Sequence, residues 1–212
     1  MAIAALGNAN TNVSTGMMSA SLEETASLRT FTLNGTTLEL PAPVQTLLDK
    51  GWVFEDAQYD TATIEAGGSK SSVMLMNEYG KIELRLSNTT LNEQPASACT
   101  ITAVSAVEHI LNDNYLGANG NEFKTANGIT LGASSAEVKT AYPAAKKDGG
   151  YLKLETPYAD IRFYNYDNNP VSGIYIRLDM TKDCWEDTSN VSSAVPAEYD
   201  DAEFINAYTL PD

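Results

Sequence analysis

Residues 127–138 read NGITLGASSAEV, an asparagine-glycine turn, a short apolar strand and a serine pair that opens a helix. Residues 34–48, NGTTLELPAPVQTLL, have nearly the same grammar about ninety residues earlier. In each stretch Asn-Gly suits a tight hairpin turn. A helix of two turns does not persist alone in water, so each needs a sheet on which to bury its apolar stripe. Two short helices, each followed by alternating strands, predict an α+β protein of two helix-plus-meander units with the helices on one face.

Working outward from these stretches gives the rest of the order. Residues 19–28 (SASLEETASL) are expected to be helical, with Ser21 and Glu24 at capping-box spacing. Phe31, Leu33, Leu38 and Leu40 alternate around Asn34-Gly35, and Pro41 and Pro43 set up a helix over VQTLLDKG. Strands are predicted at 72–77, at 81–87 and from Cys99 to Val107. In the second half Ser134 and Glu137 cap a helix that stops before Pro143. YLKLE, DIRFYNY and VSGIYIRLD follow as strands. The expected organisation is a leader or spacer over 1–28, a first unit over 29–110, an Asn/Gly-rich linker loop over 111–126, a second unit over 127–179 and an acidic extension over 180–212.

The second unit carries Gly128-Ile129-Thr130-Leu131-Gly132, Ser134, Glu137-Val138, Tyr142-Pro143 and Ile174-Tyr175-Ile176. That pattern resembles the helix-then-meander units of β-lactamase inhibitor protein and of small outer-membrane assembly lipoproteins. With Leu40-Pro41, Leu47-Leu48, Gly51-Trp52, Cys99 and Ile101 before it, the chain also resembles secreted lipoproteins of gut Firmicutes. The resemblance covers residues 31–178 and implies an extracytoplasmic, non-enzymatic role in protein binding or at the cell envelope. It carries over no catalytic residue. The chain departs from it in lacking a lipobox cysteine near the start and in the acidic extension.

Composition narrows the function classes. The chain has 212 residues, 28 acids and 13 bases, for a net charge of −15. Nucleic acid and anionic membrane surfaces are disfavoured partners, because both require clustered Lys and Arg. No run of eighteen apolar residues offers a transmembrane segment. MAIAAL followed by the small, polar stretch 7–21 suits the end of an export signal and its spacer, so an extracellular or cell-surface bacterial location is expected. Four triplets, beginning at Asn12, Asn34, Asn88 and Asn190, match the glycosylation pattern on paper. Cys99 and Cys184 contain no CxxC; they either bridge or leave Cys99 as a small core residue.

No cofactor or metal is expected. His109 is the single histidine, no G-x-S-x-G accompanies it, and no phosphate-binding glycine fingerprint is present. What remains is a surface. Sorting the meander by parity places Leu152, Leu154, Ile161, Phe163, Ile174, Ile176 and Leu178 on the core side. The other side receives Tyr151, Lys153, Glu155, Arg162, Tyr164, Tyr166, Tyr175 and Arg177, with Arg85 joining them from the first unit. Tyr and Arg dominate protein-binding hot spots, so Arg85, Tyr151, Arg162, Tyr164, Tyr166, Tyr175 and Arg177 are the candidate binding residues for an extracellular protein or acidic glycan. They are expected to lie bare, so that alanine at Arg162, Tyr164 and Arg177 should leave the thermal melt nearly unchanged. The alternatives are a secreted hydrolase using paired carboxylates, a structural spacer without a ligand, and an acidic tail folded back on the basic face.

Overall fold

The computed structural model describes residues 26–112, 120–165 and 169–178. Tyr166, Cys184, the acidic extension and all but the last residues of the 1–28 leader lie outside them. Of the expected helix over 19–28, α1 is described over 26–29. The chain then forms β1 (Thr30–Leu33), β2 (Thr36–Glu39), β3 (Ala42–Pro43), α2 (Gln45–Leu48), β4 (Val53–Phe54), β5 (Thr63–Ile64), β6 (Ser69–Met76), β7 (Lys81–Ser87), β8 (Gln94–Pro95) and β9 (Thr100–Val107). After α3 (Glu108–Leu111) come β10 (Phe123–Thr125), α4 (Ser135–Ala141), β11 (Lys146–Asp148), β12 (Tyr151–Glu155), β13 (Ala159–Tyr164) and β14 (Gly173–Leu178).

The described residues are mostly antiparallel β-sheet with a few short helices, an α+β fold. A nine-stranded sheet runs β11-β12-β13-β14-β9-β7-β6-β4, with β3 beside β9. Reading inward from either edge meets a four-stranded meander. The last strands of the two meanders, β14 and β9, pair antiparallel at the centre, with Tyr175 opposite Ser105. A three-stranded sheet, β10-β1-β2, also has antiparallel pairing at its middle, Phe31 opposite Thr125. The rings of Phe31 and Phe123 stack there at 5.2 Å.

Sequence accounts for these elements locally. Asn34 and Gly35 both have positive φ (49° and 77°), the geometry of the two-residue turn that matches strand twist. In α4, Ser134 Oγ accepts from the Glu137 N–H at 3.3 Å, and the Ser134 N–H donates to Glu137 Oε2 at 2.8 Å. These bonds, from the Ser134 backbone first, hold the Glu137 carboxyl below its usual range. Val138 and Tyr142, one turn apart, are the buried stripe, and Tyr142 packs on Phe163 at 5.2 Å. All seven residues assigned by parity to the core side of the second meander belong to one hydrophobic cluster with α2's Leu47 and α4's Val138.

Three expectations change. The helix over VQTLLDKG is only Gln45–Leu48, because Gly51 takes φ 88° and turns the chain toward β4. Within the predicted linker, Phe123–Thr125 is a strand that pairs with β1. The asparagines around it are a polar hub: Asn121 Oδ1 accepts from Asn34 Nδ2 at 2.8 Å and from Asn77 Nδ2 at 2.7 Å, while its own amide donates to the Leu111 carbonyl at 2.7 Å. The paper glycosylation sites at Asn34 and Asn88 are structural. Asn88 is 2% exposed, and its amide donates to the carbonyls of Ile64, Glu65 and Asn92.

Gly80 sits where a Cβ would lie 2.2 Å from the Leu111 carbonyl oxygen. Urea unfolding of the Gly80→Ala chain is expected to show a loss of about 1–3 kcal/mol. Ser134→Ala should lose about 1 kcal/mol with its cap. Unshifted midpoints would contradict the two contacts.

Candidate functional site

Because successive strand residues point to opposite sides, the long sheet has a second face, opposite the helices and the main core. Cross-strand partners share a face, so the register arranges it in rows. One row runs Lys146, Lys153, Arg162, Tyr175, Ser105, Glu83. A second runs Glu155, Asp160, Arg177, Ala103, Arg85. A third runs Asp148, Tyr151, Tyr164, Gly173. The candidate residues Arg85, Tyr151, Arg162, Tyr164, Tyr175 and Arg177 therefore do share one face; Tyr166 is outside the described residues.

Irregularities in pairing keep that face aligned across the centre. The β7–β9 register shifts between Arg85 and Leu86, so Ile101 stays with the core while Ala103 stands opposite Arg85 on the outer side. A β-bulge of this kind places one extra residue and restores alternation beyond it. The neighbouring β6 shifts between Lys70 and Val73, where Ser72 has φ 53°. Small residues at Ala103, Ser105 and Gly173 leave room for the large side chains beside them. A Cβ on Gly173 would come within 3.3 Å of the Tyr164 ring.

The face is not bare, which corrects the expectation drawn from parity. Arg85, Arg162 and Tyr175 are 5%, 6% and 4% exposed. Tyr151, Tyr164 and Arg177 are half-buried. The physical centre is Asp160, which sequence sorting overlooked. Its carboxylate accepts from Arg162 Nε at 2.7 Å and from Arg177 Nε at 2.9 Å. The Arg162 guanidinium also lies between two rings, 5.3 Å from Tyr175 and 5.8 Å from Tyr151. Tyr151 and Tyr164 meet at 5.6 Å, and the Tyr151 hydroxyl donates to Asp148 at 3.1 Å. Arg85 Nε donates to Ser71 Oγ at 3.1 Å. The spacing Asp160-Ile161-Arg162 puts acid and base on one side of one strand, a signal that was present in the sequence.

Electrostatics follow from burial. Burial pushes the Tyr175 phenol far above its ordinary range, with the nearby arginines opposing. It pushes Tyr164 up as well, against the pull of Arg162. Burial opposes the charge on Arg162, but Asp160 more than offsets it and the net direction is upward. Such an arrangement holds flat aromatic and guanidinium surfaces in fixed positions. Glu55, Asp56, Glu65 and His109 are exposed, whereas Glu83 and Asp160 on this face are 2% and 3% exposed. Among the described residues no group of three or more His, Cys, Asp or Glu is placed to hold a metal ion. Cys99 is buried, its thiol pushed up by desolvation; its suggested partner Cys184 lies outside the described residues. No helix among the described residues is long and apolar enough to cross a membrane.

No family model, curated protein or solved structure matches the chain.

Removing the shared carboxylate leaves two guanidiniums without it. Asp160→Asn is expected to cost about 3–5 kcal/mol in urea unfolding, and alanine at Arg162 and Arg177 should lower the melt markedly, not spare it. A second expectation concerns alkaline pH. In the unfolded chain tyrosine ionises near ~10, whereas Tyr164 and Tyr175 ionise higher when folded. Their stabilising contribution is therefore complete below pH ~10 and is lost as pH rises from there through the folded values. Phenylalanine at both positions should flatten that alkaline fall; an unchanged slope would contradict the burial.

Proposed function

We propose that the chain is an exported, non-catalytic binding module of the cell envelope or cell surface, built from two related helix-plus-meander units. Support for the duplication is topological. The strand order is the same from either edge of the long sheet, and each short helix, α2 or α4, precedes its meander. An Asn-Gly turn stands before each helix, and Lys124 bridges Thr130 across the second as β1 pairs β2 across the first.

The binding surface in this reading is the open end of the outer face, on β11, β12 and β13. The observation that carries it is the half-buried Tyr151–Tyr164 pair with the Arg162 guanidinium 5.8 Å from the Tyr151 ring. Lys146 and Lys153 stand opposite each other beside it, and Lys153 pairs with Glu155 at 2.9 Å. Rigid rings with cations alongside suit a partner that is acidic and presents flat surface: an extracellular protein or an acidic glycan. Tyrosine gives such contacts at a small entropic cost, since it has two rotatable bonds. The buried Arg162 guanidinium, beside the Tyr151 and Tyr175 rings, then holds the surface in position without forming its exposed part.

Binding of the full chain to immobilised polygalacturonate, hyaluronan and an acidic polypeptide such as polyglutamate tests this reading. At least one probe should bind saturably and lose affinity with salt. Tyr151→Ala combined with Lys153→Glu should weaken that binding by more than about tenfold, the loss of one well-packed contact of about 1.4 kcal/mol. Tyr151 lies beside the buried Arg162 guanidinium, so a modest loss of stability is expected as well, and binding is compared at a temperature where both chains are fully folded. Binding that survives the double substitution would remove this end of the sheet from consideration.

A further inference from the structure

We propose that Asn127 is a site of spontaneous self-modification, at which the Gly128 nitrogen closes on the Asn127 side-chain carbonyl carbon and expels ammonia. It goes beyond the binding reading and does not require it, since this turn stands between β10 and α4.

The chemistry needs water and no enzyme. The backbone N–H that follows an asparagine gives up its proton and its nitrogen attacks Cγ, while the side-chain nitrogen leaves as ammonia. Water then opens the cyclic imide at either carbonyl, giving aspartate or isoaspartate and a new negative charge. No electrons change hands. Glycine in the following position favours closure, because it has no Cβ to restrict the backbone.

Two turns of this sequence lie wholly among the described residues, Asn34-Gly35 and Asn127-Gly128, and both are exposed. Hydrogen bonding separates them. Asn34 is held at both ends of its carboxamide. Its Nδ2 donates to Asn121 Oδ1 at 2.8 Å, and its Oδ1 accepts from the Glu122 N–H at 2.8 Å. Asn121 is 7% exposed and is tied in turn to Asn77, Asn112 and Leu111. Swinging the Asn34 carboxamide onto Gly35 therefore means opening the hub.

Asn127 is held far less. Among the described residues its side chain makes one hydrogen bond, from Nδ2 to the Ala141 carbonyl at 2.9 Å, and no donor meets Oδ1. The attacking nitrogen is engaged once, by donation from the Gly128 N–H to the Thr125 carbonyl at 2.9 Å. Ala126, Asn127 and Gly128 are all exposed, and a Cβ on Gly128 would meet no atom within 4 Å. An opening confined to such a turn draws on the low end of a fold's stability.

The product matters because of what Asn127 holds. Ala141 ends α4, where the last carbonyls have no partner within the helix. The Asn127 amide donates to one of them. A carboxylate in its place cannot donate, and negative charge is unfavourable at the C-terminal end of a helix. Conversion thus releases the end of α4 beside Tyr142, which packs on Phe163 in the core. The modification is an ageing mark that loosens α4 from the sheet.

The test incubates the full native chain in mildly alkaline buffer and follows amide-to-acid conversion by tryptic peptide mass. Arg29, Lys50, Lys124 and Lys139 bound peptides 30–50 and 125–139, so the two turns are read separately. Asn127 is expected to convert about tenfold faster than Asn34, as for about 1.4 kcal/mol less to open, and to give isoaspartate beside aspartate. Equal rates, or a faster Asn34, would overturn the proposal. So would a native chain whose peptide 125–139 gains no acid while the same segment, as a free synthetic peptide, does. Asn127→Asp makes the aspartate product directly and should unfold at lower urea than the native chain. An unshifted midpoint would overturn the link to α4.

Discussion

One carboxylate organises the outer half of this molecule. Asp160 is 3% exposed and binds Arg162 and Arg177 at once, from its own strand and from the next. Desolvating charge is expensive, so a buried ion pair survives only where geometry and further hydrogen bonds repay the loss of water. Here the repayment includes two rings beside the Arg162 guanidinium. The pleat then spreads the consequence. With Asp160, Arg162, Arg177 and Tyr175 committed to one side, Ile161, Phe163, Ile174 and Ile176 are committed to the other, where they join the main core.

The architecture allows such a network because its two meanders meet at β9 and β14 rather than lying in separate sheets. That pairing brings Arg85 of one meander and Arg177 of the other to opposite sides of Ala103. Neither half contains the whole row. The Asn121 hub performs the corresponding task on the other layer, tying the first hairpin, the β6–β7 turn and the end of α3 to β10. Both junctions are polar, and hydrogen-bonded networks of this kind specify one arrangement more sharply than apolar packing does. At the outer edge β11 is short and carries Lys146 and Lys147, a pattern that discourages further strand addition.

Much of this was legible in the sequence, and the failures have physical causes. Alternation placed seven residues of the second meander in the core correctly, because period two is fixed by backbone geometry, but it did not single out Ala159 at the start of β13. The capping box at Ser134 and Glu137 and the Asn34-Gly35 turn were readable because their chemistry is local. Alternation says which side a residue faces and nothing about what lies against that side, so the burial of Arg85, Arg162 and Tyr175 went unseen. Asparagines in 111–126 read as loop residues because their long-range partners, Asn34 and Asn77, are distant in sequence. The bulges beside Thr102 and Ser72 left no mark, since a bulge shifts parity without a characteristic residue. Asp160 was missed although it stands two positions from Arg162, where the pleat puts both on one side.

The most direct measurement is a double-mutant cycle in the full chain between Asp160 and Arg162, using Asp160→Asn, Arg162→Met and the two together, read by urea unfolding. The account predicts a coupling free energy of about 1–3 kcal/mol, since each side chain's value depends on the other's charge. Additive losses, with coupling near zero, would mean that the shared carboxylate does not hold the outer face together.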